Sequence, residues 1–187
     1  LIKKYRGMAE HPECDAAIED IINESIVSSE LESAVSVNLD KVETTDKIKK
    51  TITEEFNNIV GMLNFEEYGH DMFRSWYVDG RIYHHLVVNE SNLKAGIQEV
   101  RPIDAVKIRK VKEVQYKKDP KTGAKIVDKT NDFYIYQERA GANNGIKLTA
   151  DSISYVTSGL LDNSKKRVLS YLQKAMKTVN QLGMMED

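Results

Sequence analysis

The sequence predicts an α+β protein: a mixed helical and antiparallel-sheet body with a protruding β-hairpin, followed by a C-terminal helix. Three observations carry this reading. Apolar residues recur at three- and four-residue spacing through the first part of the chain, as on one face of a helix. From Ile82 to Val156 the pattern becomes short alternating runs rich in Ile, Val and Tyr, bounded by turn residues. From Ser164 the helical spacing returns and continues to the end without a proline.

Pro12 suits the first turn of a helix, where its missing N–H costs nothing. Ile18, Ile21, Ile22 and Ile26 then share a face, and Glu13, Asp15, Glu19 and Asp20 complement the positive end of the dipole. This helix is expected to fade near Val27-Ser28-Ser29. The alternation in Ala34-Val35-Ser36-Val37-Asn38-Leu39 predicts a strand. Thr44-Thr45-Asp46 is an N-cap cluster, and Ile48, Ile52, Phe56, Ile59 and Leu63 mark a long amphipathic helix to about Asn64. A further helix carries Phe65, Tyr68, Met72, Phe73 and Trp76 on its apolar side, and Asp79-Gly80 ends it.

Ile82 to Val88 predicts a strand, and Asn89 to Asn92 a loop. Ile97 to Val100 predicts a short strand that Arg101-Pro102 breaks. Val106 to Tyr116 predicts a long strand whose alternation slips near Val111, marking a bulge. Asp119-Pro120-Lys121-Thr122-Gly123 turns the chain, and Ile126-Val127 and Phe133 to Tyr136 return it. Gly141 to Gly145 is a second turn, and Ile146 to Leu148 and Ile153 to Val156 complete the strands. Finally Val168, Leu169, Leu172, Met176, Val179, Leu182 and Met185 form an apolar stripe. Residues 164–187, if wholly helical, would reach about 36 Å. The stripe still runs at Asp187 and the chain lacks an initiator Met, so a piece of a longer protein is expected.

The 187 residues suit one large domain or a domain with an appendage. No apolar run approaches the ~18 residues of a membrane span. Cys14 stands alone, so no internal disulfide can form and a reducing site of synthesis is expected. It reads as a small packing residue rather than a nucleophile. Net charge is −2, yet the charges segregate. Residues 1–67 carry 15 acidic and 7 basic side chains, and residues 105–129 carry 3 acidic and 9 basic ones. Opposite poles suit a head-to-tail contact between copies, and equally suit two solvated faces of different sign.

Motifs for chemistry are sparse. There is neither a G-x-x-x-x-G-K-[ST] phosphate loop nor a strand-led G-x-G-x-x-G, so no cofactor is expected. His84 and His85 adjoin on a strand and point to opposite faces, so they cannot chelate one ion together. Thr157-Ser158-Gly159 follows a strand but lacks the first glycine of a nucleophile elbow, and reads as a turn. No catalytic, cofactor or metal residue is assigned, and no small-molecule substrate is expected. Candidate contacts to phosphate or to a partner are Lys117, Lys118 and Lys121 on the hairpin, and Lys165, Lys166 and Arg167 near the C-terminal helix. Solvated basic faces are the plainer account of both.

The segment Tyr155-Val156-Thr157-Ser158-Gly159-Leu160-Leu161-Asp162, then Val168 to Ala175, Asn180-Gln181-Leu182 and Met184-Met185-Glu186-Asp187, closely resembles the portal proteins of large contractile-tailed bacteriophages. Ile2 to Arg6, Met8 to Glu13, Asp15-Ala16-Ala17 and Ile21 to Val27 resemble the same family. The resemblance implies a wing-like domain over residues 1–163 and the start of a stem helix over 164–187. The stripe from Val168 would then pack against neighbouring copies around a pore. It also implies a dodecameric homo-oligomeric ring at one capsid vertex, passing double-stranded DNA in packaging and ejection. The implied partners are the terminase motor, the neck proteins, and the major capsid and scaffold proteins. The ring would initiate head assembly, with ATP hydrolysed by the motor and no enzymatic activity in the subunit. The implied location is the virion, after synthesis in the host cytoplasm and association with the host inner membrane during head assembly. Where this sequence has Thr178 and Gly183 the family tends to have proline and arginine. The glycine weakens a helix by about 1 kcal/mol relative to alanine.

Two other readings stand beside this one. The basic hairpin, residues 105–129, can serve a nucleic-acid-binding module. A hydrolase centred on Ser158 and a histidine has the least support.

Overall fold

The computed structural model describes residues 1–27, 33–118, 123, 125–139 and 145–186. The chain divides into two compact units, Leu1–Ile82 with Val156–Asp187, and Tyr83–Tyr155.

The first unit is helical. Its helices are α1 (Ile2–Ala9), α2 (Pro12–Ser25), α3 (Asp46–Met62), α4 (Phe65–Asp79) and α5 (Met176–Glu186). Tyr5, Met8 and Ala9 of α1, Ile18 and Ile22 of α2, and Val78 of α4 form the buried core together with Leu172. The spacing of Tyr5 to Met8 and of Ile18 to Ile22 places each pair on one helical face, so the amphipathic pattern directs the packing. Pro12 occupies the first turn of α2 as the sequence predicts, and Gly80 closes α4 in the left-handed conformation at φ 72°. Asp79 lies buried beside it, and its carboxylate accepts two hydrogen bonds from Arg6 at 2.9 and 2.6 Å. By contrast no side chain of α3 is fully buried: Ile48, Ile52 and Ile59 of its predicted apolar stripe are exposed, while Phe56 and Leu63 are half-buried.

The remaining elements are strands β1 (Arg81–Val88), β2 (Ile97–Ile103), β3 (Ile108–Lys118), β4 (Lys125–Tyr136), β5 (Ile146–Thr149) and β6 (Ile153–Thr157). Among the described residues they form two three-stranded sheets, ordered β2-β1-β6 and β3-β4-β5. Tyr83, Tyr134 and Tyr155 gather the core of the second unit. Tyr83 stacks on Tyr155 at 4.6 Å between ring centroids, and both meet Tyr134 edge-on. Ala105, Ile108 and Ile153 are buried around them.

Four expectations change. Residues 34–39 keep their alternation but form no strand, because they pair with no other segment among those described. Pro102 does not end β2: the strand continues to Ile103, with Pro102 opposite His84. A proline is tolerated there because β2 is an edge strand. Val111 pairs regularly with Phe133, and the register shifts instead at Gln115/Tyr116, where Asp128 of β4 has no opposite number. The turn at residues 119–122, like Gly141 to Asn144, lies outside the described residues.

The fourth change concerns the C-terminal helix. It begins at Met176 rather than Ser164, after a 3₁₀ turn over Tyr171–Lys174. The backbone before it is committed to an extended pairing: Leu161 and Val168 form a bridge, and the Leu169 N–H donates to Leu160 O at 2.8 Å. Val168 O accepts from Arg81 Nη2 at 2.5 Å, and Leu169 O from Ser158 Oγ at 2.6 Å. Ser170, fully buried, donates to Tyr77 O, while its side-chain oxygen accepts the Leu172 N–H and caps the 3₁₀ turn. Leu172 enters the core, and Met176 and Val179 pack against it. Part of the stripe, Leu172 with Met176 and Val179, is therefore engaged by the core of its own unit, where packing against neighbouring copies was expected. Only the far end, with Met184 and Met185 at 80% and 83% exposure, stands clear.

Candidate functional site

Two basic surfaces were legible in the sequence, and each sits on a different local scaffold. The first is the β3–β4 ribbon in the second unit. Among the described residues β5 pairs with Phe133 to Tyr136 only, so there the outer stretch of β4 is paired on one side alone. Lys117 and Lys118 end β3, both exposed, and being consecutive they point to opposite faces. Lys118 lies opposite Lys125, a like-charged pair whose mutual repulsion favours an oppositely charged neighbour. Nearer the sheet the charges are matched instead: Lys110 Nζ meets Asp132 at 2.9 Å, which lowers the Asp132 pKa and raises that of Lys110. Lys121 lies outside the described residues.

The second surface is a tight loop in the first unit, which brings Lys165, Lys166 and Arg167 together. An isolated bridge between Leu161 and Val168 closes its base. Asp162 organises it from within. One carboxylate oxygen accepts the N–H groups of Lys166 and Arg167 at 2.9 and 3.1 Å, and the other accepts the Ser164 hydroxyl at 2.8 Å. The hydrogen bond from Ser164 first, then those from the two amides, hold this carboxyl below the usual aspartate range. Lys165 is left-handed at φ 54°, an uncommon state for a lysine, and the turn so made presents all three cations to solvent. The run of basic residues was readable, but the anchoring by Asp162 was not.

A third feature has no counterpart in the sequence pattern. Gly80, at the end of α4, offers its carbonyl to the Ser158 N–H at 2.8 Å. A Cβ on Gly80 would stand 2.5 Å from Leu169 O. The pair Asp79-Gly80 reads only as a turn. Its close approach to Leu169 and Ser170 depends on segments about ninety residues away, so no local signal could reveal it.

The serine, cysteine and histidine side chains with nucleophilic or basic chemistry have structural surroundings. Ser158 Oγ donates to Leu169 O and accepts from Leu160 N–H, and its carbonyl accepts from Tyr171. Burial pushes the Cys14 thiol up, with the Glu13 charge adding to the effect, opposite to what an activated nucleophile needs. His84 is buried, which lowers its pKa, while His85 is partly exposed. Among the described residues no cluster of three or more His, Cys, Asp or Glu is placed to hold a metal ion. No helix among them is long and apolar enough to cross a membrane.

The sequence matches the family model described as "Bacteriophage T4-like portal protein (Gp20)" over residues 1–187. The chain belongs to the T4-like portal protein family. It is 34% identical over 200 residues to the portal protein of Vibrio phage KVP40, covering all of this chain and 38% of that protein. It is also 29% identical over 204 residues to the portal protein of Salmonella phage ViI, covering all of this chain and 36% of that one. The chain thus spans little more than a third of the curated relatives it matches. Within the portal family its structural features gain a context. It is an α+β chain with a basic two-stranded ribbon, a basic loop anchored by Asp162, and a short C-terminal helix with an exposed outer end.

Proposed function

We propose that this chain is part of a structural subunit of a closed, dodecameric portal ring at one vertex of a phage capsid. Residues 1–163 serve as its wing and residues 164–187 lead into its stem. DNA enters and leaves through the centre of the ring. The ring docks the terminase motor during packaging and the neck and tail afterwards, and with capsid and scaffold proteins it starts head assembly. The role is structural rather than enzymatic. The observation that carries this reading is the family match, which extends over every residue of the chain. The segregated charge supports it, since complementary poles on one subunit steer and register head-to-tail association.

The loop bearing Lys165, Lys166 and Arg167 is our candidate for contact with DNA phosphate. Its supports are the three adjacent exposed cations and the Asp162 anchor that holds them in one orientation. The deciding experiment for the ring is imaging and mass measurement of the complete protein. Closed rings of about a dozen copies are expected from the family resemblance, and a strictly monomeric complete protein would overturn the reading.

A second reading, a nucleic-acid-binding module using residues 105–129, has the nine basic side chains of that segment in its favour. It requires salt-sensitive DNA binding by the monomer, abolished when Lys117, Lys118 and Lys121 become glutamate.

A further inference from the structure

Two apolar faces of this chain are left uncovered among the described residues, and they differ in charge. The first lies on α3 and the start of α4. Ile48, Ile52, Ile59 and Met62 are each more than a third exposed, and Tyr68 of α4 is about half exposed at 48%. Ile48, Ile52 and Ile59 recur at four- and seven-residue spacing, so they form one stripe on a helix whose 17 residues extend for about 25 Å. Residues 51–73, the larger part of this surface, carry five acidic side chains and no lysine or arginine.

The second face lies on the β3–β4 ribbon. Tyr116 stands opposite Val127 and Val114 opposite Thr130, so the four line one side. Tyr116 and Val127 are 62% and 58% exposed. Lys118 and Lys125 follow them on the same side, and Lys117 and Lys129 line the opposite side of the same ribbon, all four exposed. Among the described residues both backbone edges of the outer ribbon are open, and an exposed two-stranded ribbon with apolar side chains is marginal by itself.

We infer that the β3–β4 ribbon of one copy lies on the α3–α4 surface of the next copy. The occupant follows from charge and from symmetry. A basic apolar ribbon and an acidic apolar helix face are complementary, whereas each repels its own kind. Every copy offers one of each. A heterologous contact between copies then covers both faces in every subunit, and closes on itself when the rotation allows. The inference rests on the ring proposed above, and names one contact within it.

The test uses the complete protein, with oligomeric state read by light scattering at about 0.15 M salt, where surface charge is only partly screened. One variant carries Lys117→Glu, Lys118→Glu and Lys125→Glu. The other carries Glu55→Lys and Glu66→Lys. Each alone is expected to raise the concentration at which rings dissociate by about tenfold or more. An equal mixture of the two restores assembly, because each reversed ribbon then meets a reversed helix face. A single chain carrying all five changes also restores it. If wild-type rings form and neither variant alters them, this interface is overturned while the ring stands. If the variants impair only DNA binding, the ribbon is a nucleic-acid surface and the inference fails. If the five-change chain recovers but the mixture does not, the two faces meet within one copy and the inference again fails. If wild type makes no rings, the broader reading fails first. A second measurement does not depend on charge reversal. With Cys14→Ser, the pair Ile59→Cys and Tyr116→Cys should yield a disulfide-linked ladder of subunit multiples under oxidation, and monomers alone would refute the interface.

Discussion

Arg6 and Asp79, 73 residues apart in sequence, form a two-pronged ion pair that ties α1 to the end of α4. The Asp79 side chain is nearly sealed, at 4% exposure, whereas that of Arg6 keeps 40%. This asymmetry makes the two halves of the pair unequal.

Arg6→Ala strands a buried carboxylate, and the expected loss is about 3 kcal/mol. Asp79→Asn leaves a partly solvated guanidinium and retains hydrogen bonding, so the expected loss is nearer ~1 kcal/mol. Urea unfolding of both variants checks the order. Equal losses would mean that burial of Asp79 is not what makes the pair asymmetric.

Gly80 and Gly7 behave oppositely on replacement by alanine. Gly80 combines φ +72° with a backbone oxygen 2.5 Å from its notional Cβ, so Gly80→Ala is expected to cost about 2 kcal/mol or more. Gly7 sits in α1 with open space around it, and Gly7→Ala should stabilise by about 0.5 to 1 kcal/mol. Thermal unfolding distinguishes the two signs.

Asp162 makes the order of the 163–167 loop depend on pH. Its pKa is depressed in the folded chain, so the ionised state is favoured by folding. That contribution is present above the ordinary aspartate pKa and is lost as pH falls through the lowered one. Amide exchange at Lys166 and Arg167 should accelerate at the acid end of this window, after correction for intrinsic rates. It should accelerate at neutral pH in Asp162→Ala. Unchanged protection in the variant would remove Asp162 as the anchor.

His84 contributes in the opposite pH direction from a histidine that gains a partner. Burial lowers its pKa below the ordinary 6.5, and its Nε2 has no hydrogen-bond partner among the described residues. As pH falls below that ordinary value the unfolded chain takes up a proton that the folded chain resists, so stability declines. His84→Leu should flatten this part of the pH profile. A profile with the same slope would show that other groups produce it.

If the 165–167 loop touches DNA, replacing Lys165, Lys166 and Arg167 by alanine should weaken binding by the complete protein with little dependence on base sequence. The salt slope should fall by about 0.9 for each phosphate that the loop no longer neutralises. Filter binding across a salt series measures it, and an unchanged slope would exclude the loop from the DNA interface.

The helices with a strong apolar period were legible from sequence because one face of each had to be buried or remain visibly apolar. Pro12 and Gly80 marked the start of α2 and the end of α4 for the same local reason: proline lacks the N–H that a first turn does not use, and glycine accepts positive φ. The paired strands were legible through alternation, yet alternation misread residues 34–39, since a strand exists only where another segment completes its hydrogen bonds. The basic residues of the candidate surfaces were visible as composition. Their anchoring through Asp162, and the exposed Tyr116–Val127 pair, were not, because they depend on turn geometry and on register.

The apolar stripe from Val168 shows where the two kinds of information part. Local sequence determined that this stretch carries helical spacing and no proline. Tertiary contacts decided where the helix begins: the Leu169 N–H donates to Leu160 O at 2.8 Å, Arg81 and Ser158 bind the carbonyls of Val168 and Leu169, and Leu172 is drawn into the core. A single N–H so used does not also close a helical turn, and nothing in the stretch itself encodes which distant groups will reach it.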